Sequence, residues 1–271
     1  MMIERAQRMP GGDLAQAHGE TVVRLILKDV KRRNALSLDM IEELTKELKE
    51  INSISKVRSV IISSEGPAFS SGHDLRELVA EKGPDLHQKI FDKCSNLMML
   101  MRSMEVPVIA EVHGVAAAAG CQLVASCDIV VAADNSKFMV PGQRVGLFCS
   151  TPGIALARAV PNKVALDMLF TAEPIDAQTA LRCGLVSRIV PETEVKFEAL
   201  RVAEQIGQHS RSVTALGKAF FYTQIELGLN EAYRYGGKVM TENLKMKDAQ
   251  EGISAFTEKR QPTFGHTNDK C

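Results

Sequence analysis

The sequence predicts an α/β core at about residues 20–191, followed by a helical region at about residues 192–271. Strand-like and helix-like segments alternate through the first part, whereas every hydrophobic pattern from Glu192 onward has helical spacing. The 271 residues, of which 45% are hydrophobic and 24% charged, suffice to bury a full core. Because no internal repeat or low-complexity linker is visible, we expect one large domain or one domain with an appendage.

The first predicted elements are a strand, a helix and a second strand. Thr21–Leu27 alternates in polarity and is rich in β-branched residues, which is typical of a strand. Val57–Ile62 is a short apolar run and predicts a buried strand. Between them, Ser37 is a favourable N-cap, and the apolar residues after it repeat at helical spacing: Ile41, Leu44, Leu48 and Ile51.

The later elements alternate in the same way. A helix at about Asp85–Met104 ends before Pro107, because a proline disfavours helical backbone in the residue that precedes it. The remaining predictions are a strand at Val108–Val112, a strand at Asp128–Ala132, an extended piece at Lys137–Val140, a helix between the cap Asp176 and Gly184, and a strand at Leu185–Val190. Since no G-x-G-x-x-G follows a strand and no G-x-x-x-x-G-K-[ST] is present, a dinucleotide site is rejected.

Two segments indicate chemistry: Phe69–Leu75 and His113–Gln122. Each combines small residues with a glycine, so that backbone N–H groups can approach a ligand without obstruction from side chains. The second segment also begins a helix, whose first N–H groups and positive dipole end face whatever lies before it. The two segments together predict an oxyanion hole that holds a developing negative charge.

Charge and hydropathy argue against two classes of partner. The formal net charge is zero and the pI is about 7.0, so no global field attracts nucleic acid or an anionic membrane. The most apolar run, Val106–Val131, is interrupted by polar and charged residues that a bilayer would not accept. We therefore expect neither nucleic-acid binding nor membrane insertion.

The cysteines and the first residues give further expectations. The six cysteines form no C-x-x-C pair and lie mostly in apolar runs, which predicts reduced thiols and no metal site. Cys121, Cys127 and Cys149 are accordingly predicted to pack and not to act as nucleophiles. The segment Met1–Gln16 has the pattern of neither a signal peptide nor a convincing transit peptide.

Seven segments of the chain resemble, in the same order, those of the enoyl-CoA hydratase/isomerase (crotonase) superfamily: Asn34–Leu36, Phe69–Leu75, Pro107–Gly114, Gly120–Leu123, Cys127–Ile129, Val145–Leu147 and Phe256–Arg260. The resemblance covers about residues 20–266 and implies a spiral of ββα units with a helical C-terminal trimerisation region. It implies an acyl-CoA thioester as substrate, coenzyme A entering as part of that substrate and no other cofactor. It also implies a homotrimer or hexamer, a role in fatty acid metabolism and, because a mitochondrial member is the most similar, a mitochondrial location.

The resemblance assigns roles to individual residues. The backbone amides of His73 and Ala119 form the oxyanion hole. Residues expected to bind coenzyme A are Arg32, Arg33, Ser71, His73, Phe256 and Lys259. Without the resemblance, Lys31–Arg33 would be a solvated loop, and Lys259 would complement a helix C-terminus.

Two positions depart from the hydratase pattern. Hydratases of this family carry two glutamates, and the corresponding residues here are Gln122 and Gly142. Neither exchanges a proton near neutral pH, so simple hydration is doubtful for this lyase-like chain. An aspartate of the dienoyl-CoA isomerase branch corresponds to Ser150, which argues against that reaction too.

Three functions stay open after these departures. The chain binds an acyl-CoA thioester through an oxyanion hole, it decarboxylates a malonyl-type thioester such as methylmalonyl-CoA, or it is a non-catalytic binder. Decarboxylation needs only enolate stabilisation, because the leaving carboxylate supplies the electrons.

Two side chains have alternative roles and two have a structural one. His73 either donates a proton or is an exposed residue at a helix start whose amide alone matters, and we favour the second. Gln122 either orients substrate or water, or is an amide satisfied on a helix face. Asp74 and Asp128 are predicted to be structural acceptors at caps or turns.

Overall fold

Two β-sheets form the frame of the computed structural model, which describes residues 2–6 and 21–271. One sheet has six strands in the order β1-β2-β3-β5-β7-β10, and the other has four in the order β4-β6-β8-β9. Only β1 and β9 pair antiparallel to their neighbours. The strands are β1 Ile3–Ala6, β2 Val22–Leu27, β3 Ser59–Ser64, β4 Ala68–Ser70, β5 Val108–Val112, β6 Val115–Ala117, β7 Ile129–Ala133, β8 Lys137–Met139, β9 Ile175–Asp176 and β10 Arg188–Val190.

Successive strands alternate between the two sheets. β3, β5 and β7 are neighbours in the large sheet, and the strands that follow them, β4, β6 and β8, are neighbours in the small one. Two consecutive strands, such as β3 and β4, therefore contribute one strand to each sheet, and the next two strands repeat the arrangement. This stacking confirms the predicted spiral of ββα units.

The described residues form ten α-helices. Ser37 caps the first and accepts a hydrogen bond from the Met40 amide, and Asp176 caps the sixth by accepting from the Thr179 amide, both as predicted. The helices are α1 Leu38–Asn52, α2 Pro84–Ser103, α3 Ala119–Ser126, α4 Ser150–Ala159, α5 Asn162–Thr171, α6 Ala177–Cys183, α7 Val195–Gly207, α8 Arg211–Gln224, α9 Leu229–Leu244 and α10 Lys247–Glu258.

Several predicted boundaries were wrong. β3 begins and ends two residues later than the apolar run Val57–Ile62, because the Ser63 hydroxyl is satisfied by the Leu25 carbonyl at 3.4 Å and the strand continues. Helices α4 and α5, and strands β1, β4, β6 and β9, were not predicted. Residues 260–271 are not helical but return to pair Lys270 with Met246. Of the segment Met1–Gln16, only residues 2–6 lie within the described part.

The apolar core lies on both faces of the large sheet. Most buried side chains fill the space between the sheets and helices α1 to α4. On the opposite face a smaller cluster joins Ile61, Ile109 and Val131 of the strands to Ala199 and Val202 of α7. Helix α7, the first α-helix after residue 191, therefore packs directly on the large sheet. The α/β core and the helical region, divided in the prediction at 191/192, are in contact through this helix.

Helix α8 is fixed to this core by buried polar contacts. The Lys218 ammonium, 9% exposed, donates to the Met101 and Val106 carbonyls at 2.8 and 3.0 Å and to the Asp128 carboxylate at 2.7 Å. Tyr222 donates its hydroxyl to the other Asp128 oxygen at 2.8 Å. Asp128 also accepts from the Val108 amide, which confirms its predicted structural role.

Helix α9 is far less covered than α8. None of its residues is buried, and its large apolar side chains are exposed along one face: Leu229, Tyr233, Met240 and Leu244. An amphipathic helix normally buries such a face. None of the described helices is long and apolar enough to cross a bilayer.

Candidate active site

The two glycine segments cross so closely that only glycine fits at the contacts. A methyl group added at Gly72 would lie 2.7 Å from the Ala118 Cβ and 3.1 Å from the Ala119 nitrogen. One added at Gly120 would lie 2.6 Å from the Ser70 carbonyl oxygen. Gly72 also has a φ of +87°, which other residues rarely adopt. The crossing therefore places the segment around His73 against the first residue of α3.

Both predicted oxyanion-hole amides are available at this crossing. Within residues 2–6 and 21–271, no hydrogen bond uses the N–H of His73 or of Ala119. Ala119 is the first residue of the eight-residue helix α3, so its N–H lies at the positive end of the helix dipole. The arrangement can hold a negatively charged oxygen by two N–H donors.

Ala118 orients the second amide through an unusual backbone conformation. Its φ of 48° and ψ of −119° are rare for a residue with a Cβ and cost about 1–3 kcal/mol. The Ala118 N–H donates to the Met139 carbonyl at 2.9 Å, which holds this turn to β8. The sequence analysis did not single out Ala118, because an alanine carries no local signal for a positive φ.

The basic loop Lys31–Arg33 is tied to the first glycine segment by hydrogen bonds. The Ser71 amide donates to the Arg33 carbonyl at 2.9 Å, and the Ser71 hydroxyl donates to the Arg32 carbonyl at 3.1 Å. The Leu36 amide donates to the Gly72 carbonyl at 2.7 Å. The Arg32 and Arg33 side chains are exposed. The structure thus brings Arg32, Arg33 and Ser71 together at one edge of the site.

The His73 imidazole is half-buried, so the prediction of an exposed residue at a helix start was wrong. Its Nδ1 lies 3.2 Å from the Leu36 carbonyl oxygen, which can only accept, so Nδ1 carries the proton. The ring meets Phe91 edge-on with centroids 5.3 Å apart. Burial lowers the pKa of His73, which favours the neutral ring with an unprotonated Nε2.

The carboxylate next to this amide is already engaged. Asp74, buried, receives two side-chain hydrogen bonds from Arg76 at 2.8 and 2.6 Å and caps the turn that follows it. The Arg76 guanidinium holds the pKa of that carboxyl below its usual range. Asp74 therefore has the structural role predicted for it and is not a free proton acceptor.

Gln122 is buried in α3, one turn after Ala119. It is 4% exposed, and its Oε1 has no hydrogen-bond partner among the described residues. Among the described residues, this oxygen thus lacks the partner that the alternative of an amide satisfied on a helix face requires. An unpaired buried acceptor is uncommon in folded proteins and indicates a polar ligand or water at this point.

Gly142 stands where no side chain fits. It belongs to a short 3-10 turn, Pro141–Val145, and a methyl group added to it would lie 2.2 Å from the Leu147 carbonyl oxygen. The same methyl would lie 2.7 Å from the Cys149 sulfur, which accepts from the Gly142 amide at 3.3 Å. The loop around Gly142 is therefore closed and leaves no space for a side chain at this position.

The neighbouring cysteines are packing residues with suppressed reactivity. Cys121 and Cys127 are buried and Cys149 is half-buried. Burial raises the pKa of Cys121 to about 12 and also raises the pKa values of Cys127 and Cys149. All three are therefore thiols at neutral pH, in agreement with the sequence analysis.

Phe256 and Lys259 lie in a different part of the chain from the glycine crossing. Phe256, on α10, is 85% exposed and borders a cleft of about 530 Å³ with Leu244 and Phe264, and Lys259 follows at the end of the helix. No hydrogen bond or ion pair between described residues connects them to the basic loop. One copy of the chain thus does not join the two predicted halves of the coenzyme A site.

Acidic, thiol and imidazole groups do not converge on a common point. Across the described ranges, no three His, Cys, Asp or Glu side chains are grouped as metal ligands would be. Ser150, an exposed residue at the start of α4, contributes no carboxylate. The polar groups that the described residues leave without a partner at the crossing are two backbone N–H groups, the His73 Nε2 and the Gln122 Oε1.

We predict that Gly142→Ala lowers the free energy of unfolding by about 1–3 kcal/mol, because the methyl group overlaps the Leu147 carbonyl oxygen and the backbone must move. Gly217→Ala is the matched control, since Gly217 lies within α8 with no atom within 4 Å of the added methyl. The control is expected to raise stability by up to about 1 kcal/mol. Urea denaturation measures both, and equal stabilities would contradict the closed loop.

Comparison with known proteins gives one consistent result. The profile described as enoyl-CoA hydratase/isomerase matches residues 17–267. A Xenopus laevis protein named enoyl-CoA hydratase domain-containing protein 3, mitochondrial, is 54% identical over 261 residues, covering 96% of this chain and 88% of that protein. A probable enoyl-CoA hydratase of Mycobacterium leprae is 33% identical over 234 residues, covering 86% of this chain and 90% of that one.

Solved structures agree with the sequence relatives. The crystal structure of human enoyl coenzyme A hydratase domain-containing protein 3 has a TM-score of 0.88 at 53% identity, covering 89% of this chain and 96% of that one. An enoyl-CoA hydratase of Mycobacterium smegmatis has a TM-score of 0.87 at 42% identity, covering 89% and 94%. The resemblance in the seven segments is thereby confirmed, and the chain belongs to the enoyl-CoA hydratase/isomerase family.

Proposed function

We propose that the chain binds an acyl-CoA thioester and holds the thioester oxygen between the amides of His73 and Ala119. The observation that carries the proposal is the glycine crossing, which brings two unused N–H groups together at the start of α3. A thioester carbonyl becomes strongly negative only as an enolate forms, and two such donors stabilise that charge. Several relatives are named as mitochondrial, which supports a mitochondrial location, and we include a role in fatty acid metabolism in the proposal.

Hydration is not the activity we propose. Gln122 cannot exchange a proton at neutral pH, and at Gly142 there is neither a side chain nor space for one. The loss of a general acid or base costs about 10²–10⁴ in rate, and losses at two positions need not add. The oxyanion hole by itself is not sufficient to add water to a double bond.

A second candidate is decarboxylation of a malonyl-type thioester. The bond between the α-carbon and the carboxylate breaks, CO₂ leaves, and the bonding electrons pass into an enolate that takes a proton from water. The step requires stabilisation of the enolate alone, and the two amides supply it. Two amides in a site without the glutamates therefore favour decarboxylation over hydration. A non-catalytic acyl-CoA binder is the remaining alternative.

We predict that purified protein hydrates crotonyl-CoA more slowly than a typical hydratase by a factor of at least about 10², because no carboxylate serves as acid or base. Mass spectrometry after incubation with crotonyl-, methylmalonyl- and ethylmalonyl-CoA measures the products. Loss of CO₂ from the malonyl-type thioesters would support the decarboxylase, and no product with saturable binding would support the binder. Efficient hydration of crotonyl-CoA would contradict the proposal.

We propose that coenzyme A contacts two groups of residues, and that the two groups come from two different copies of the chain. Arg32, Arg33 and Ser71 stand at the basic edge beside the oxyanion hole. Phe256 and Lys259 offer an exposed ring and an exposed cation, suited to adenine and to a phosphate. Because one copy leaves the two groups unconnected, a neighbouring copy is proposed to supply Phe256 and Lys259.

Replacing Lys259 with alanine is expected to weaken acyl-CoA binding about fivefold at low ionic strength, because a charge contact to phosphate is lost. The difference from wild type should shrink as salt is added. Lys163→Ala is the matched control, since Lys163 is exposed and belongs to α5. Calorimetric titration measures the dissociation constants, and equal affinity of the Lys259 variant and wild type in low salt would refute the assignment.

A homotrimer, or a hexamer made of two trimers, is the proposed assembly. The open apolar face of α9, together with the exposed Phe221 on α8 and Ile225 directly after that helix, supports it. We expect light scattering at micromolar concentration to give three or six times the 29.6 kDa mass. Leu229→Glu with Tyr233→Glu should shift the protein towards monomer, because two charges would enter the contact. A stable wild-type monomer would contradict the assembly.

A further inference from the structure

The tail, residues 260–271, folds back and is tied to the start of α10. The Lys247 amide donates to the Asp269 carbonyl at 2.9 Å, and the Cys271 amide donates to the Lys245 carbonyl at 2.8 Å. These contacts hold the tail to α10 and to the residues just before that helix. The contact of the tail with α8 depends on a different residue.

His266 joins the tail to the start of α8 through its side chain. Its Nδ1 accepts a hydrogen bond from the backbone amide of Arg211, the first residue of α8, at 3.2 Å. The first amides of a helix have no partner within the helix, so the imidazole satisfies one of them. Because Nδ1 accepts, it carries no proton, and the ring is neutral in this arrangement.

The elements packed around the imidazole carry charges of both signs. Arg58 before β3 and the positive dipole end of α8 disfavour a positive charge on the ring, whereas Asp248 on α10 favours one. The Arg211 guanidinium is already paired with the Glu105 carboxylate. Burial lowers the pKa of His266, and Arg58 adds to this effect against Asp248. The docked tail therefore favours the neutral imidazole.

The Asp248 carboxylate keeps its charge while a histidine titrates. It accepts hydrogen bonds from the Gly265 and His266 amides at 2.7 and 2.9 Å and from the Ser210 hydroxyl. Burial acts against the charge, but these hydrogen bonds outweigh it and hold the pKa of Asp248 below its usual range. A change of charge at this contact between about pH 5 and pH 8 therefore comes from His266.

We propose that the contact between His266 and the start of α8 is pH-sensitive: the neutral imidazole holds the tail against α8, and protonation releases it. On protonation, Nδ1 gains a hydrogen that faces the Arg211 N–H, so the hydrogen bond is lost and a positive charge stands at the helix N-terminus. A released tail takes up the proton more readily than a docked one. The released state therefore gains population as the pH falls below about 6.5, and the contact is complete above that pH.

Release of the tail changes the cleft beside α10. Phe264 of the tail borders this cleft together with Phe256, and the centroid of its ring lies 6.3 Å from that of the His266 imidazole. Movement of the tail away from α8 therefore moves one wall of the cleft. The inference concerns this contact alone and does not depend on whether the chain binds an acyl-CoA.

Hydrogen–deuterium exchange of the full-length protein, read by mass spectrometry on peptides that cover the tail, tests the contact. A synthetic peptide of residues 260–271 gives the intrinsic exchange rate at each pH, and the ratio of the two rates is the protection of the tail. Wild-type protection is expected to fall about fivefold from about pH 7.5 to about pH 5, as the loss of one hydrogen bond implies.

His266→Asn keeps an acceptor and removes the titration. The asparagine carbonyl oxygen can accept from the Arg211 amide, and asparagine tolerates the φ of 58° that His266 adopts. The protection of this variant is expected to stay constant within about twofold over the same pH range. His209→Asn is the matched control, because His209 is exposed and lies two residues before Arg211, and it should show the wild-type fall.

The wild-type measurement decides the inference even if a variant does not fold, because protection that is equal at the two pH values would overturn it. An equal fall in wild type and in His266→Asn would also overturn it, since another group would then control the contact. Loss of the pH dependence in His209→Asn would assign the titration to that residue instead. Weak protection of His266→Asn at both pH values would support the inference, because the contact would be lost with the imidazole.

Discussion

The close approach of β4 to β6 is the constraint on which the site depends. β4 and β6 pair in parallel, Ala68 with Val115 and Ser70 with Ala116, and their flanking glycines meet backbone atoms of the other segment. A methyl group at Gly114 would lie 2.2 Å from the Pro67 carbonyl oxygen, closer still than at Gly72 or Gly120. Three glycines without room for a Cβ thus allow two chain segments to touch along their backbones. Any larger residue would separate the two amides that we propose to bind the thioester oxygen.

Gln122 and Gly142, the two residues at which the sequence departs from the expected hydratase pattern, have different surroundings in the structure. Around Gly142, the Leu147 carbonyl and the Cys149 thiol fill the space of a missing side chain, so a glutamate would require a different loop. At Gln122 the side chain is present, buried and unpaired. At Gly142 there is no space for a side chain, whereas the Gln122 Oε1 can accept a hydrogen bond from a polar ligand. This asymmetry favours binding or enolate stabilisation over proton transfer between two carboxylates.

The helical region is joined to the core by the apolar packing of α7 and by polar contacts of α8. Lys218 and Tyr222 converge on Asp128, and Arg211 reaches the carbonyls of Asn52 and Val57 at 3.0 and 3.1 Å. Val57 and Asp128 lie just before β3 and β7, at the N-terminal ends of these strands of the large sheet. The glycine crossing, in contrast, lies beyond the C-terminal ends of the strands. Within one chain, these contacts of α8 and the glycine crossing therefore lie at opposite ends of the large-sheet strands. The symmetric assembly that we propose would bring the two predicted ends of a coenzyme A site together from neighbouring copies.

Local sequence signals determined most secondary structure, the rejection of a dinucleotide site and the two segments of the candidate site. Ser37 and Asp176 were predictable because an N-cap depends on its own helix, and the seven ordered segments indicated the family. Tertiary structure alone decided that the His73 ring is half-buried, that the Gln122 acceptor is unpaired and that no side chain fits at Gly142. The burial of the His73 ring depends on Leu36 and Phe91, and the lack of space at Gly142 depends on Leu147 and Cys149. Caps and periodicity act within a few residues, whereas burial and pairing are properties of chain segments that meet only after folding.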